Sequence, residues 1–148
     1  MHPYPHTYLA AAKGVPSGAV PVTSPGAPEL ATAAPPQFDG PEGFWSPETL
    51  LTASVANCFI LTFRAVSRAA KLEWLGLECT VEAVLDKVDG VTQFSRFKTL
   101  ATLAVPPGAD VGKAKQLLER AEHGCLVANS LRGTRTLESL VVAPSDSP

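Results

Sequence analysis

Basic residues are nearly missing from the first half of this 148-residue chain: Lys13 is the only lysine or arginine before Arg64. Over the whole length 12 Lys and Arg stand against 14 Asp and Glu, a formal net charge of −2. Such a balance excludes nucleic acid as the expected partner, because phosphate binding needs clustered cations. Cysteine is scarce as well. There are three, no C-x-x-C pair occurs, and His2 and His6 sit in a proline-rich terminus, so no metal or other cofactor is expected. No apolar run is expected to approach the roughly 20 residues of a membrane span. The Met1-His2-Pro3 start has neither the basic nor the apolar region of a signal peptide, and the expectation is a soluble cytoplasmic protein.

What is present suffices for one core. A hydrophobic content of 45% over 148 residues predicts a single domain. Ten of the 14 prolines fall within residues 1–47, so residues 1–45 are expected to form short edge strands and turns, with a loop from Ala33 to Gly43. Ser46-Pro47-Glu48 reads as the cap and first two positions of a long helix reaching about Lys71. Beyond Leu75 the period changes to two, with Leu77, Cys79, Val81, Ala83 and Leu85 on one face of a half-buried strand. Asp89-Gly90 signals a hairpin into a second strand, Val91 to Val105, ended by Pro106-Pro107. Val111, Ala114, Leu118 and Ala121 then mark one stripe of a second helix, which Gly124 breaks or bends. Leu137 to Val142 is expected to be the last strand of a core spanning 46–142, followed by a frayed tail, 143–148. The fold class is therefore α+β, mostly antiparallel.

Three thiols cannot all pair within one chain, and a reducing compartment keeps a structural pair open, so a transient disulfide is their natural use. Cys58 lies in Leu50-Leu51-Thr52-Ala53-Ser54-Val55-Ala56-Asn57-Cys58-Phe59, and Cys125 in Ala121-Glu122-His123-Gly124-Cys125-Leu126. Taken alone, either thiol also reads as a small buried residue. Cys79, between Leu77 and Val81 on the apolar face of a strand, reads as inert packing, and His123 as a solvent-facing helix-end residue. A reactive Cys58 needs its pKa lowered. The helix start is about three turns away, too far for its dipole, whereas Ser54 one turn before shares a face with the sulfur. Leu51, Val55, Phe59 and Leu61 with Phe44 and Trp45 read either as core or as the lining of an apolar pocket.

The segment Ser46-Pro47-Glu48-Thr49-Leu50-Leu51, followed by Ala56-Asn57-Cys58-Phe59 and later by Cys125-Leu126-Val127-Ala128-Asn129-Ser130, resembles the OsmC/Ohr superfamily of organic hydroperoxide reductases over about residues 40 to 140. The resemblance implies an OsmC-like fold, a long central helix with a second helix, in an intertwined homodimer with active sites at the subunit boundary. It implies Cys58 as peroxidatic thiol, Cys125 as its disulfide partner, and Glu48, ten positions before Cys58, as the holder of an activating arginine. The substrate would be an organic hydroperoxide and the reductant an external dithiol. Ten helical residues span about 15 Å, so Glu48 would serve the partner's site. The chain departs from the family in lacking an N-terminal arginine, which leaves Lys13 or a later arginine; Arg64 and Arg68 would point roughly 120° and 80° away from Cys58 on the same helix. A proline that follows the second cysteine in one branch is here Leu126. The alternative reading is an OsmC-like dimer that binds a small apolar ligand or senses oxidation without efficient turnover.

Overall fold

Proline spacing decides the architecture of the first 51 residues. A computed structural model describes residues 1–144, so the expected tail lies outside the described residues from 145 onward. The chain divides into two compact units, Met1–Leu51 and Thr52–Pro148. In the first, β1 (Ala11–Ala12), β2 (Val20–Thr23) and β3 (Leu30–Thr32) form an antiparallel sheet in the order β1-β2-β3. Pro21 lies inside the middle strand and cannot donate to the ladder, yet its carbonyl still accepts the Lys13 N–H at 3.2 Å. Buried Thr32 satisfies its hydroxyl on the Val20 carbonyl at 2.7 Å. The loop that follows contains a 3-10 turn, Pro36–Phe38, and tightens so far at Gly40 that a Cβ there would stand 1.8 Å from the Ala34 carbonyl oxygen.

The long helix α1, Pro47–Ala69, starts as its first residues dictate. Ser46 Oγ accepts the Thr49 N–H at 3.1 Å, and Thr49 Oγ1 accepts the Ser46 N–H at 2.9 Å, a reciprocal cap with threonine in place of the usual glutamate. Averaged over 18 residues its mean hydropathy is 1.5, so by length and composition alone α1 is long and apolar enough to cross a membrane. This corrects the expectation that no apolar run approaches such a length: Thr52, Ser54, Asn57 and Thr62 interrupt the run without lowering its average enough. Its buried residues Val55, Phe59, Phe63 and Ser67 lie on one stripe, the face α1 turns to the core.

In the second unit β4 (Gly76–Val88), β5 (Val91–Ala104) and β6 (Thr134–Val142) form a sheet in the order β4-β5-β6. The β4–β5 hairpin turns at Asp89 and Gly90, with φ of 51° and 77°, the pair of left-handed residues that a tight two-residue turn requires. β6 pairs with β5 in parallel, so the chain crosses over through α2 (Val111–Gly124) and a single extra turn, α3 (Leu126–Asn129). β6 begins three residues earlier than alternation of apolar residues indicates, because the inward position Arg135 is polar and escapes that pattern. Gly133 leads into it at φ 103°, where a Cβ would stand 2.7 Å from the Ser95 carbonyl oxygen of β5.

Phe59 and Phe63 of α1, Leu103 of β5 and Leu118 and Ala121 of α2 are fully buried in one cluster. A phenylalanine buried this way contributes about 1.5–3 kcal/mol relative to an exposed one. Phe63 meets Trp74 edge-on with centroids 5.3 Å apart, and the Trp74 indole N–H donates to buried Ser67 at 3.0 Å. These contacts hold the middle and end of α1 against the sheet and α2, which sets where Cys58 stands.

Candidate active site

Cys58 precedes Phe59 on α1, so the burial of Phe59 turns the neighbouring sulfur toward the edge of the core, where it is only partly buried. α2 reaches it because it ends in glycine: a Cβ on Gly124 would stand 3.3 Å from Cγ2 of Thr62, one turn beyond Cys58. Cys125 then leaves helical geometry with φ −66° and ψ 100°, closing α2 and opening α3. Its N–H donates to the Glu122 carbonyl at 3.4 Å and its carbonyl accepts the Asn129 N–H at 2.9 Å. The side chain is fully buried, with Sγ 3.9 Å from the Val55 carbonyl oxygen.

This junction brings together the two thiols expected to cooperate. All three cysteines are free, and Cys58 and Cys125 are close enough for each to shift the other's acidity. The environment drives the two apart in acidity. For Cys58, burial raises the pKa, but donation from the Val127 backbone N–H, the Cys125 thiol, the Thr62 hydroxyl and the Leu126 N–H outweighs it, and the net shift is downward. The single proton of Thr62 is engaged by the Cys58 carbonyl at 2.7 Å, while its oxygen is 3.9 Å from the sulfur. Cys125 goes the other way. Burial pushes it up to about 11, the Ala128 N–H only partly offsets this, and donation to Cys58, the Cys58 charge and Glu122 raise it further. Cys58 is thus the more acidic thiol of the pair and Cys125 the less acidic.

Sequence reasoning did not find the Leu126 and Val127 amides. No side-chain cation supplies the shift; the new helix turn that follows the break at Gly124-Cys125 brings the backbone of Leu126 and Val127 to the cavity over Cys58, and it lowers the thiol's pKa. The break itself was the available signal. Among the other candidates, Ser54 lines the cavity beside Cys58, while Arg64 and Arg68 line a separate recess with Trp74. Arg135 pairs with Glu122. Glu48 stands half-buried in the first turn of α1, within the first unit, where the dipole favours a carboxylate. Cys79 is packed against the core and its burial pushes it up to about 11, with Glu122 and Cys125 adding to the shift, as suits an inert thiol. His123 is exposed in the last turn of α2.

A cavity of about 560 Å³ opens over Cys58, lined among others by Ser54, Asn57, Leu61, Leu126 and Val127. Leu61 and Leu126 are 53% and 68% exposed at its rim. Val55 and Phe59, read from sequence as core or pocket lining, are core, and Phe44 and Trp45 are about half exposed in the first unit. Among the described residues no group of three or more His, Cys, Asp or Glu is placed to hold a metal ion.

Known proteins resemble this chain in sequence and in fold. Peroxiredoxin OsmC of Escherichia coli is 28% identical over 102 residues, covering 69% of this chain and 70% of its own. An organic hydroperoxide resistance protein OsmC of Legionella pneumophila superposes with a TM-score of 0.73 at 26% identity, covering 93% of this chain and 98% of its own. An OsmC-like protein of unknown function from Vibrio cholerae superposes with a TM-score of 0.84 at 15% identity, over 91% and 99% of the two chains, and shares the fold. The sequence profile of the OsmC-like proteins matches residues 40–139, a stretch that holds Cys58, Cys125 and Glu48, and the chain belongs to that family.

Proposed function

We propose that the protein is a peroxiredoxin-like thiol peroxidase that reduces organic hydroperoxides to alcohols in the cytoplasm. The observation that carries this reading is the placement of two free thiols near enough to shift each other's acidity, in surroundings that lower the pKa of Cys58 and raise that of Cys125. The Cys58 thiolate attacks the distal peroxide oxygen, the O–O bond breaks, and the alkoxide leaves as the alcohol on taking a proton, while sulfur is oxidised to sulfenic acid. The Cys125 sulfur, giving up its proton, displaces the sulfenic oxygen as water and forms the disulfide. An external dithiol then reduces it and is itself oxidised to a disulfide. The relatives named peroxiredoxin and organic hydroperoxide resistance protein support the reaction class.

The apolar rim of the cavity favours an alkyl peroxide over hydrogen peroxide, since each buried Å² of apolar surface contributes about 25 cal/mol. The working unit in this proposal is a homodimer: only 17% of the most apolar window of α1 is buried within the chain, and a second copy would cover the rest. Glu48 then acts across the subunit boundary to orient a cation. The test is a peroxidase assay with cumene hydroperoxide, hydrogen peroxide and a dithiol. Cys58→Ser should abolish turnover, and Cys125→Ser should allow one oxidation and then stall. Turnover that survives Cys58→Ser removes the reading.

A second reading has its own observation. No arginine precedes Arg64, and a lysine does not reproduce a planar guanidinium. A slow enzyme that binds an apolar ligand or senses oxidation fits that loss, and it predicts disulfide formation with peroxide but little steady turnover.

A further inference from the structure

Arg135 is the second residue of β6, opposite Phe97 of β5, and its guanidinium reaches out of the sheet to both flanks of the Cys125 junction. Nε donates to Glu122 Oε1 at 2.9 Å, Nη2 donates to the Glu122 backbone carbonyl, and Nη1 donates to Asn129 Oδ1 at 2.7 Å. Asn129 passes the connection back, its Nδ2 donating to the His123 carbonyl at 3.0 Å. Glu122 and His123 belong to the last turn of α2, Asn129 ends α3, and Cys125 lies between. One side chain therefore ties together two helix ends that the break at Gly124-Cys125 would otherwise leave separate.

We propose that Arg135 is a positioning residue for the Cys58–Cys125 pair, holding the junction so that the Leu126 and Val127 N–H groups face the Cys58 sulfur. The proposal rests on the reading of Cys58 as the reactive thiol. A helix of one turn has no stability of its own, and α3 has no side-chain cap at Cys125. Amide donation to a sulfur weakens steeply as distance and angle depart from ideal, so a junction free to rock would lose its hold on the thiolate. The ion pair that anchors it is largely shielded, with Arg135 and Glu122 side chains 24% and 14% exposed, unlike the exposed Lys98–Glu138 pair at 40% and 64%. The planar fork is needed because three acceptors lie around one group, and lysine offers a single point charge. The titratable groups facing the junction are Cys58 on α1, Cys79 on β4, Glu122 on α2 and Arg135 itself on β6.

The test reads Cys58 alkylation by iodoacetamide against pH, resolved from Cys79 and Cys125 by peptide mapping, in the full chain. Arg135→Lys and Arg135→Leu should move the Cys58 profile to higher pH, and a midpoint higher by about one pH unit lowers the alkylation rate near neutrality roughly tenfold. Asn129→Ala removes the α3 arm without changing charge and should move the profile in the same direction by less. It also decides the matter if the arginine variants fail to fold. Unchanged profiles in folded Arg135→Leu, or in Asn129→Ala if only that folds, overturn the proposal, because an ion pair that merely stabilises the fold would lower the melting temperature and leave the profile in place. No peroxide enters this measurement. A wild-type protein without peroxidase turnover whose Cys58 profile still depends on Arg135 would sink the enzymatic reading and leave the positioning role standing.

Discussion

At the scale of single residues, acidity differs among three thiols of one chemical type because their neighbours differ. Cys58 meets amide donors; Cys79 and Cys125 meet apolar walls and a carboxylate. The signs have opposite consequences for stability. Cys58 is depressed in the folded state, so its contribution is present above the ordinary thiol pKa and is lost as pH falls through the folded value. Cys79 and Cys125 are raised to about 11, so their contribution is full below the ordinary thiol pKa, about 8.5, and is lost as pH rises through about 11. In that interval the unfolded chain has released protons that the folded one retains. Melting temperature is therefore expected to fall between about pH 8.5 and 11, and Cys79→Ala should flatten the decline. Parallel slopes for wild type and variant would show that Cys79 does not titrate with folding.

Elements meet at two glycines, and the expected effects differ because the reasons for glycine differ. Gly124 has an ordinary helical backbone, so alanine gains up to about 1 kcal/mol of helix propensity while its Cβ crowds Thr62 at 3.3 Å. Near-neutral stability is the expected result for Gly124→Ala. Valine adds bulk that α1 cannot yield to, and Gly124→Val should cost about 1–3 kcal/mol and slow formation of the Cys58–Cys125 disulfide by pushing the junction away. Gly133 combines φ 103° with a would-be Cβ contact of 2.7 Å to the backbone of β5, so Gly133→Ala should destabilise more than Gly124→Ala. Urea titrations of the three variants check the order, and a Gly133→Ala protein as stable as wild type would contradict it.

For the molecule as a whole, α1 is the element least explained by a single copy. It is 23 residues long and apolar enough on average to span a bilayer, yet little of its most apolar window is buried within the chain. Exposed Leu61 and the small residues Ala53, Ser54 and Ala56 permit close approach of another helix. Sedimentation at micromolar concentration is expected to give twice the mass of the 15.5 kDa chain, and a monomer mass would remove both the dimer and the role of Glu48 across its boundary.

Local patterns were enough for much of this protein. The cap at Ser46, the long helix and the Asp89-Gly90 hairpin each rest on contacts within a few residues and form as their residues indicate, and of the stripe read on the second helix Ala114, Leu118 and Ala121 are buried while Val111 is exposed. The neighbourhoods of Cys58 and Cys125 were legible too, as was the packing role of Cys79. What the sequence did not disclose depends on residues far apart in the chain. The parallel pairing of β6 with β5, the inward arginine that starts β6, and the amides of Leu126 and Val127 beside Cys58 exist only because the core brings α1, α2 and the sheet together. An amide has no signature in a sequence, since every residue but proline carries one. Only tertiary structure decides which of them comes near a sulfur, and here the break after Gly124 brings Leu126 and Val127 to the cavity over Cys58.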